Sequence, residues 1–364
     1  MPTTSSPTSP RRSIRCMSRS RIEPHPPFSA KAKIMPAVAI LGDINVDLTL
    51  QIPAYPPEGG EGIAERQSHG LGGSGANTAR ILAGLGLPVH FIGKTGRDNW
   101  GDWCLAAMQR EGVETRWVRR DEAEPTQLNV VVVSASGERT MFAYRGANAR
   151  LAADELDPAA LAGTALLHLS GYALLQAPQS EAALHALELA RAAGIAVSLD
   201  IPAGITGTIS ALVLPLLPAI DILFLGEADA RLLAGIGSDA VLDQAAERLV
   251  EAGTKQVVVK RGALGSLVHS RQPQVVSSAA QVEAIDTTGA GDAFAAGYIF
   301  GIVNGLAPAG ASALANAAGA IAATTIGSGA GAVERQNLVA MIGNMDIEPA
   351  LAAGIMALLE AGRD

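Results

Sequence analysis

The chain has 364 residues, 48% of them apolar and 17% charged, which excludes a disordered protein and leaves room for a large α/β domain plus an excursion, or for two domains. The overall charge of −8 is unevenly placed: residues 1–34 carry seven basic groups against Glu23, a local +6, so residues 35–364 carry −14 and form an acidic body unsuited to nucleic acid. Two cysteines, Cys16 and Cys104, cannot build a disulfide framework or a zinc cluster, which points to a reducing cytoplasm.

In chain order, residues 1–34 are rich in Ser, Thr, Pro and Arg and lack the apolar run of a signal peptide. They read as a disordered extension, or as the product of a start codon upstream of Met35. Their Arg/Ser-rich, acid-poor composition also fits an organelle transit peptide. The body then opens with Val38–Leu41, a buried parallel strand ending in Gly-Asp. A helix over Gly75–Leu85 stops at Gly86 and Pro88. Val89–Ile92 is a strand and Trp100–Glu111 a helix, and Val130–Val133 with Arg139–Tyr144 forms a hairpin. Strand Ala165–Ser170, helix Ser180–Ala193, strands Ala196–Asp200 and Ile220–Leu225, helix Asp243–Glu251 and strand Gln256–Lys260 follow. A loop and helix run from Asp286 to Gly305, and residues 345–364 form a C-terminal helix or tail. The alternation predicts a mostly parallel sheet with helices on both faces. The β-like pieces near 49–69 and 115–144 have no helices of their own and predict a small sheet standing off as a lid.

From Ala293 to Val333 no Asp, Glu, Lys, Arg or His occurs, a run long enough on paper to cross a bilayer. The stretch is mostly Ala and Gly and is broken by Asn304, Pro308 and Asn316, which favours two closely packed core helices and no membrane partner.

Several motifs mimic known sites. Gly70-Leu-Gly-Gly-Ser-Gly75 satisfies the dinucleotide string, but polar Glu65–His69 precedes it where a buried strand is required, and the next acid is Asp98. An NAD-dependent oxidoreductase is therefore disfavoured. Gly93-Lys94-Thr95 lacks the earlier glycine of a phosphate-binding loop. The six histidines show no ligand spacing, so His168 and His185 read as ordinary core or surface residues.

The informative stretch is Asp286-Thr-Thr-Gly-Ala-Gly-Asp292-Ala-Phe. Gly289, Ala290 and Gly291 can turn their backbone N–H groups toward one point at a helix start, a natural seat for an anion. An Asp beside such a seat either caps the helix or accepts the proton of a hydroxyl attacking a phosphoryl group held there. Spacing alone leaves both roles open.

This segment resembles the C-terminal signature of the ribokinase-like carbohydrate kinases, the PfkB sugar kinases. Gly72-Gly73-Ser-Gly-Ala-Asn77 resembles their N-terminal signature about 215 residues earlier. Gly42-Asp-Ile-Asn45-Val-Asp47 matches their opening segment, and the likeness spans roughly residues 36–340. The resemblance implies a ribokinase-like fold with a kinase domain over 35–344, and transfer of the γ-phosphoryl group of ATP, with Mg2+, to a hydroxyl of a sugar or sugar-like polyol. By position, Asp292 corresponds to the catalytic base and Gly289, Ala290 and Gly291 to the anion hole. Asn45, Asp47, Gly72, Gly73 and Asn77 fall where the family holds sugar hydroxyls. Lys260, Gly262 and Gly265 lie along ATP, with Asn316 near the adenine. Asp286 and Thr288 match positions that bind a monovalent cation, K+, in many members. The lid covers the substrate and often forms a homodimer contact. Two departures stand out. Gly226-Glu-Ala-Asp229 replaces the Asn-x-x-Glu that helps order the magnesium shell, leaving Asp229 to act through water. Ser74 stands where ribokinases tend to have Lys. A nucleoside kinase of the same family is the nearest alternative, and a non-catalytic sugar-binding relic a more distant one.

Overall fold

The chain was analysed as a computed structural model that describes residues 36–361 apart from position 137. The extension expected at 1–34, with its targeting alternatives and Cys16, lies outside the described residues. The strands β1 (Ala37–Leu41), β2 (Asn45–Gln51) and β3 (Arg66–Gly72) come first, followed by helix α1 (Ser74–Gly84), strand β4 (Val89–Gly96) and helix α2 (Asn99–Arg110). Next come β5 (Val113–Glu114), β6 (Val118–Asp121), β7 (Gln127–Val133), β8 (Arg139–Tyr144) and β9 (Thr164–Ser170). Helix α3 (Gln179–Ala192), β10 (Ala196–Asp200), α4 (Thr206–Val213), β11 (Ile222–Gly226), α5 (Glu227–Leu233), α6 (Leu242–Glu251) and β12 (Gln256–Lys260) continue the alternation. The chain closes with β13 (Ser266–Ser270), β14 (Val275–Ser277), α7 (Ala290–Val303), α8 (Pro308–Ala323), α9 (Arg335–Asn344) and α10 (Pro349–Glu360).

The main sheet runs β14-β13-β12-β11-β10-β9-β1-β4-β5, with β6 also paired to β4. Its strands are parallel from β12 to β4, and only the β12–β13 and β13–β14 pairs are antiparallel. Period-two alternation divides each buried strand between two cores. Val38, Ile40, Phe91, Phe224 and Val258 pack on the side of α1, α7 and α8. Ala39, Leu41, Ile92, Leu223 and Val257 pack on the side of α3, α4 and α6. The near-continuous apolar runs thus follow from burial on both faces.

Helices α7 and α8 account for the uncharged stretch. A Cβ on Gly297 or Gly301 would sit 2.9 Å from the Cα of Ala315 or Ala311, so small side chains let the two backbones touch. No described helix is long and apolar enough to cross a membrane. Residues 349–360 form α10, whose Ile355 and Leu359 are fully buried in the α7–α8 core.

The second sheet has the order β3-β2-β7-β8, with β2 and β7 parallel and the outer pairs antiparallel. It begins at Asn45, earlier than the 49 expected for the lid, and residues 115–126 do not belong to it. Val118–Asp121 pairs with β4 of the main sheet instead. The cause is burial: Val118 and Trp117 are both under a tenth exposed, and Trp117 packs on His90. Only 127–144 of that piece reaches the lid.

Candidate active site

β1 lies between β4 and β9, so the chain leaves it first to one side and then to the other, and ligands gather at the carboxyl ends of strands at such a switch point. Asp200, Gly226 and Lys260 close β10, β11 and β12 at that edge, and Gly42–Ile44 follows β1.

The start of α7 projects into the same place. Gly289 precedes the helix with φ 73°, a left-handed conformation, and a Cβ there would overlap the carbonyl oxygen of Ser328. Glycine is therefore required for the turn that starts α7, in which Ala290 N–H donates to the Thr287 carbonyl at 3.2 Å. Asp292 sits in the first turn, but its side chain makes no capping bond to the helix. Its carboxylate instead accepts Ser74 Oγ on Oδ1 at 2.7 Å and Asn77 Nδ2 on Oδ2 at 2.9 Å, both from α1. Burial pushes the Asp292 carboxyl up to about 6, and the charge of Asp200 adds to the rise while Asn77, Ser74 and Lys260 oppose it. The group is ionised at neutral pH and more basic than an ordinary aspartate.

On the lid side, Asp47 is the hub. Its Oδ1 accepts Asn45 Nδ2 at 2.7 Å and Asn129 Nδ2 at 2.8 Å, and burial raises its pKa against those two bonds. A Cβ on Gly72 would overlap the Asp47 carboxylate and the Asn45 amide, so the glycine makes room for both. Gly73 immediately precedes α1. The amide chain continues from Asn129 through Gln127 to Asn148, whose side chain holds both the N–H and the C=O of Ile44. Beside it, Asp43 accepts Arg145 Nη2 at 2.8 Å and Gln179 Nε2 at 2.7 Å.

On the other side of Gly291 lies a cavity of about 320 Å³ lined by Lys260, Gly262, Gly265, Ala290, Phe294 and Asn316 among others. Its walls are mostly Gly and Ala, so backbone faces the space. Asn316 spends its amide N–H groups on Ser266 and Ser277 hydroxyls and the Ser277 and Ser278 carbonyls, which fixes the β14 loop forming one wall. A larger hollow of about 510 Å³ beside Arg80 and Glu111 shares no residue with this arrangement.

The candidate metal positions differ in character. Asp229 is buried and accepts Thr206 Oγ1 at 2.6 Å, while Glu227 is taken by Arg261 and Arg231. No described group of three or more His, Cys, Asp or Glu side chains is arranged to hold a metal ion. A single carboxylate fits Mg2+ carried by phosphates and water, since that ion keeps several waters and binds through one or two carboxylates. Asp286 does not fit a cation site as expected. Its Oδ1 accepts Thr288 N, Thr288 Oγ1 and Arg139 Nη1, its Oδ2 accepts Gly327 N, and the guanidinium already brings a positive charge.

Sequence reasoning missed Asp43, Asn129, Gln127, Arg145, Gln179 and Asp200. Asp200 carried a signal, a charge at the end of an apolar strand, and Asn148 closes a Gly-Ala-Asn triplet at 146–148 that repeats the one at 75–77. The decoys resolve as structure. The Gly70–Gly75 string ends a lid strand, buried Lys94 pairs with Glu155 and Asp121, and His168 is fully buried against Ser198. Burial holds His168 down to about 3 and pushes the Cys104 thiol up to about 12, so neither ionises at neutral pH.

Comparison with known proteins bears on this arrangement directly. The pattern of the pfkB family carbohydrate kinases matches residues 35–335. The chain belongs to that family. It is 32% identical over 293 residues to a ribokinase of Arabidopsis thaliana, covering 77% of this chain and 74% of the relative. It is also 32% identical over 265 residues to an ATP-dependent ribose-1-phosphate kinase of Halopiger xanaduensis, covering 73% and 84%. A solved putative ribokinase II of E. coli, in complex with ATP and Mg2+, superposes with TM-score 0.76 and 25% identity over 85% of this chain and 100% of that one. This pfkB protein therefore has the ribokinase-like fold and is a phosphotransferase with an alcohol acceptor, a sugar or nucleoside kinase.

Proposed function

We propose that the protein transfers the γ-phosphoryl group of ATP to a hydroxyl of a sugar or sugar-like polyol, with Asp292 as the base. The observation that carries this reading is the position of the Asp292 carboxylate. It is held by Ser74 and Asn77 of α1, between the polar cluster around Asp47 and the Gly/Ala-walled cavity at Gly291. The Asn45, Asp47 and Asn129 side chains suit vicinal hydroxyls, because carboxylates accept and amides both donate and accept at fixed angles. The cavity takes the nucleotide, with Lys260, Gly262, Gly265 and Asn316 along it.

In the reaction the acceptor oxygen forms a bond to the γ-phosphorus while the bond to the β,γ-bridging oxygen breaks. The acceptor proton passes to Asp292, and ADP leaves with the electron pair. The N–H groups of Gly289 and Gly291 would hold the charge on the moving group, joined by that of Ala290 once it turns from the Thr287 carbonyl it now bonds, and one such donor is worth about 10²–10³ in rate. Asp229 would help hold Mg2+ through water, and the ion would supply positive charge against the ATP phosphates. We assign no step to potassium, because Arg139 and Thr288 already occupy the Asp286 carboxylate.

ADP release measured across sugars, sugar phosphates and nucleosides tests the reading. Turnover with a sugar and none with nucleosides is expected. Turnover with nucleosides alone would replace it with a nucleoside kinase, and ligand binding without ADP release would make the protein a relic. We also propose that the lid joins two copies, since the edge strand β8 exposes Met141, Phe142 and Tyr144. Light scattering should give a two-chain mass that halves in Phe142→Glu, and a one-chain mass for the parent protein removes the proposal.

A further inference from the structure

Lys260 closes β12, an interior strand of the main sheet. Its Nζ lies 2.6 Å from Oδ1 of Asp200, a carboxylate only 2% exposed. The two residues are not on neighbouring strands: β11 runs between β10 and β12. In register, the residue of β11 beside Lys260 is Gly226, so that position offers no side chain between the ammonium and Asp200. The reach across the sheet edge thus depends on the same glycine that departs from the pattern of related kinases.

The ammonium also faces the anion seat. A Cβ built on Gly291 would lie 3.3 Å from Lys260 Nζ, and both residues line the nucleotide cavity. An ammonium has three N–H donors, and among the described residues Asp200 is its one hydrogen-bond partner. Two donors remain. They sit beside Gly291, and the Lys260 charge is felt by Asp292.

We propose that Lys260 is a catalytic residue that binds the γ-phosphoryl group directly over Gly289–Gly291 and stays on it through transfer, with Asp200 as the positioning residue that aims it. This deepens the kinase reading above and rests on it. The transferred group spreads negative charge over three equatorial oxygens and asks for fixed positive charge rather than covalent help. A lysine free in water would have to be immobilised at each turnover. One held by a buried carboxylate is aimed beforehand.

The single change Lys260→Met leaves Asp200 buried and unpaired and risks unfolding, so the decisive variant is Lys260→Met with Asp200→Asn, which removes both charges together. Its melting midpoint reports the fold. Calorimetric titration then compares ADP with the non-hydrolysable β,γ-imido analogue of ATP, a comparison that needs no acceptor. We expect ADP affinity to be unchanged and the analogue's Kd to rise about tenfold or more, the loss of one charge-assisted hydrogen bond. With any accepted sugar, kcat should fall about 10²–10³ with the acceptor KM unchanged. Asp200→Asn alone should reduce the preference for the analogue over ADP by less than the double change does. A purely structural pair would not move that ratio. Equal loss for ADP and the analogue, or no loss for either, overturns the proposal. Absence of turnover in the parent protein with every sugar and nucleoside would instead sink the kinase reading, and the nucleotide comparison would still decide Lys260.

Discussion

The two halves of the cleft are built on opposite plans. The half proposed for the acceptor is made of side chains: Asn45, Asp47, Asn129, Gln127 and Asn148 hold one another in a chain of hydrogen bonds that ends on the Ile44 backbone. The half proposed for the nucleotide is walled mostly by Gly and Ala, with Gly262, Gly265, Ala290 and Gly291 presenting little beyond their peptide groups beside the Lys260, Phe294 and Asn316 side chains. On the proposed function, the difference follows from what each half would recognise. A phosphate tail is met equally well by any correctly turned backbone, whereas a polyol is told from its neighbours by where single hydroxyls point. Amide and carboxylate groups fixed by their neighbours discriminate best, because an analogue lacking one hydroxyl leaves a buried partner unpaired. Asp292 stands between the halves and belongs to both.

The largest expected effect comes from removing that junction. Asp292→Asn should lower kcat by about 10²–10⁴ while ATP and acceptor still bind, measured by ADP release and by calorimetry. A variant with near-normal kcat would leave the two halves without a shared base. Next, Asp47→Asn should raise the acceptor KM by about tenfold or more and leave the ATP KM alone, since it removes a charged acceptor from the lid hub. An equal rise in both constants would show that the halves are not separate. Asn316→Ala, which frees four acceptors around β14, should do the reverse. It should raise the ATP KM and lower stability by about 1–3 kcal/mol, read from denaturant unfolding.

The smallest effect is in pH. The Asp292 carboxyl is raised to about 6, so kcat should fall as pH drops through that value and stay flat above it. The same shift has a stability sign. Because the folded state disfavours the ionised form, the carboxylate costs stability above its ordinary value near 3.8, increasingly up to about 6 and constantly beyond. Asp292→Asn should therefore melt higher than the parent protein at pH 7, and the gain should vanish at pH 4. A variant that melts lower at pH 7 would assign Asp292 a structural role in place of a costly catalytic one.

Much of this was legible before any coordinates. The strand–helix alternation, the paired glycine signatures and the Ala/Gly run of α7 and α8 each carry a local cause: apolar runs for strands buried on both faces, glycine where backbones touch, and an acid at a helix start. The β6 segment was misjudged as lid because its four residues show no period that tells one sheet from another, and the burial of Val118 and Trp117 decided the matter. Short apolar α4 carried no amphipathic signal for the same reason.

The sequence by itself determined the sheet's composition, the glycines at the start of α7 and the acid beside them, because each depends on residues within one or two turns. Tertiary structure alone decided that Ser74 and Asn77 hold Asp292 from 218 and 215 residues away, that Arg139 covers Asp286 from 147, and that Lys260 crosses Gly226 to Asp200 from 60. Such pairings arise from strand order and register, and a buried charge finds its partner only once the sheet has set which chain ends meet.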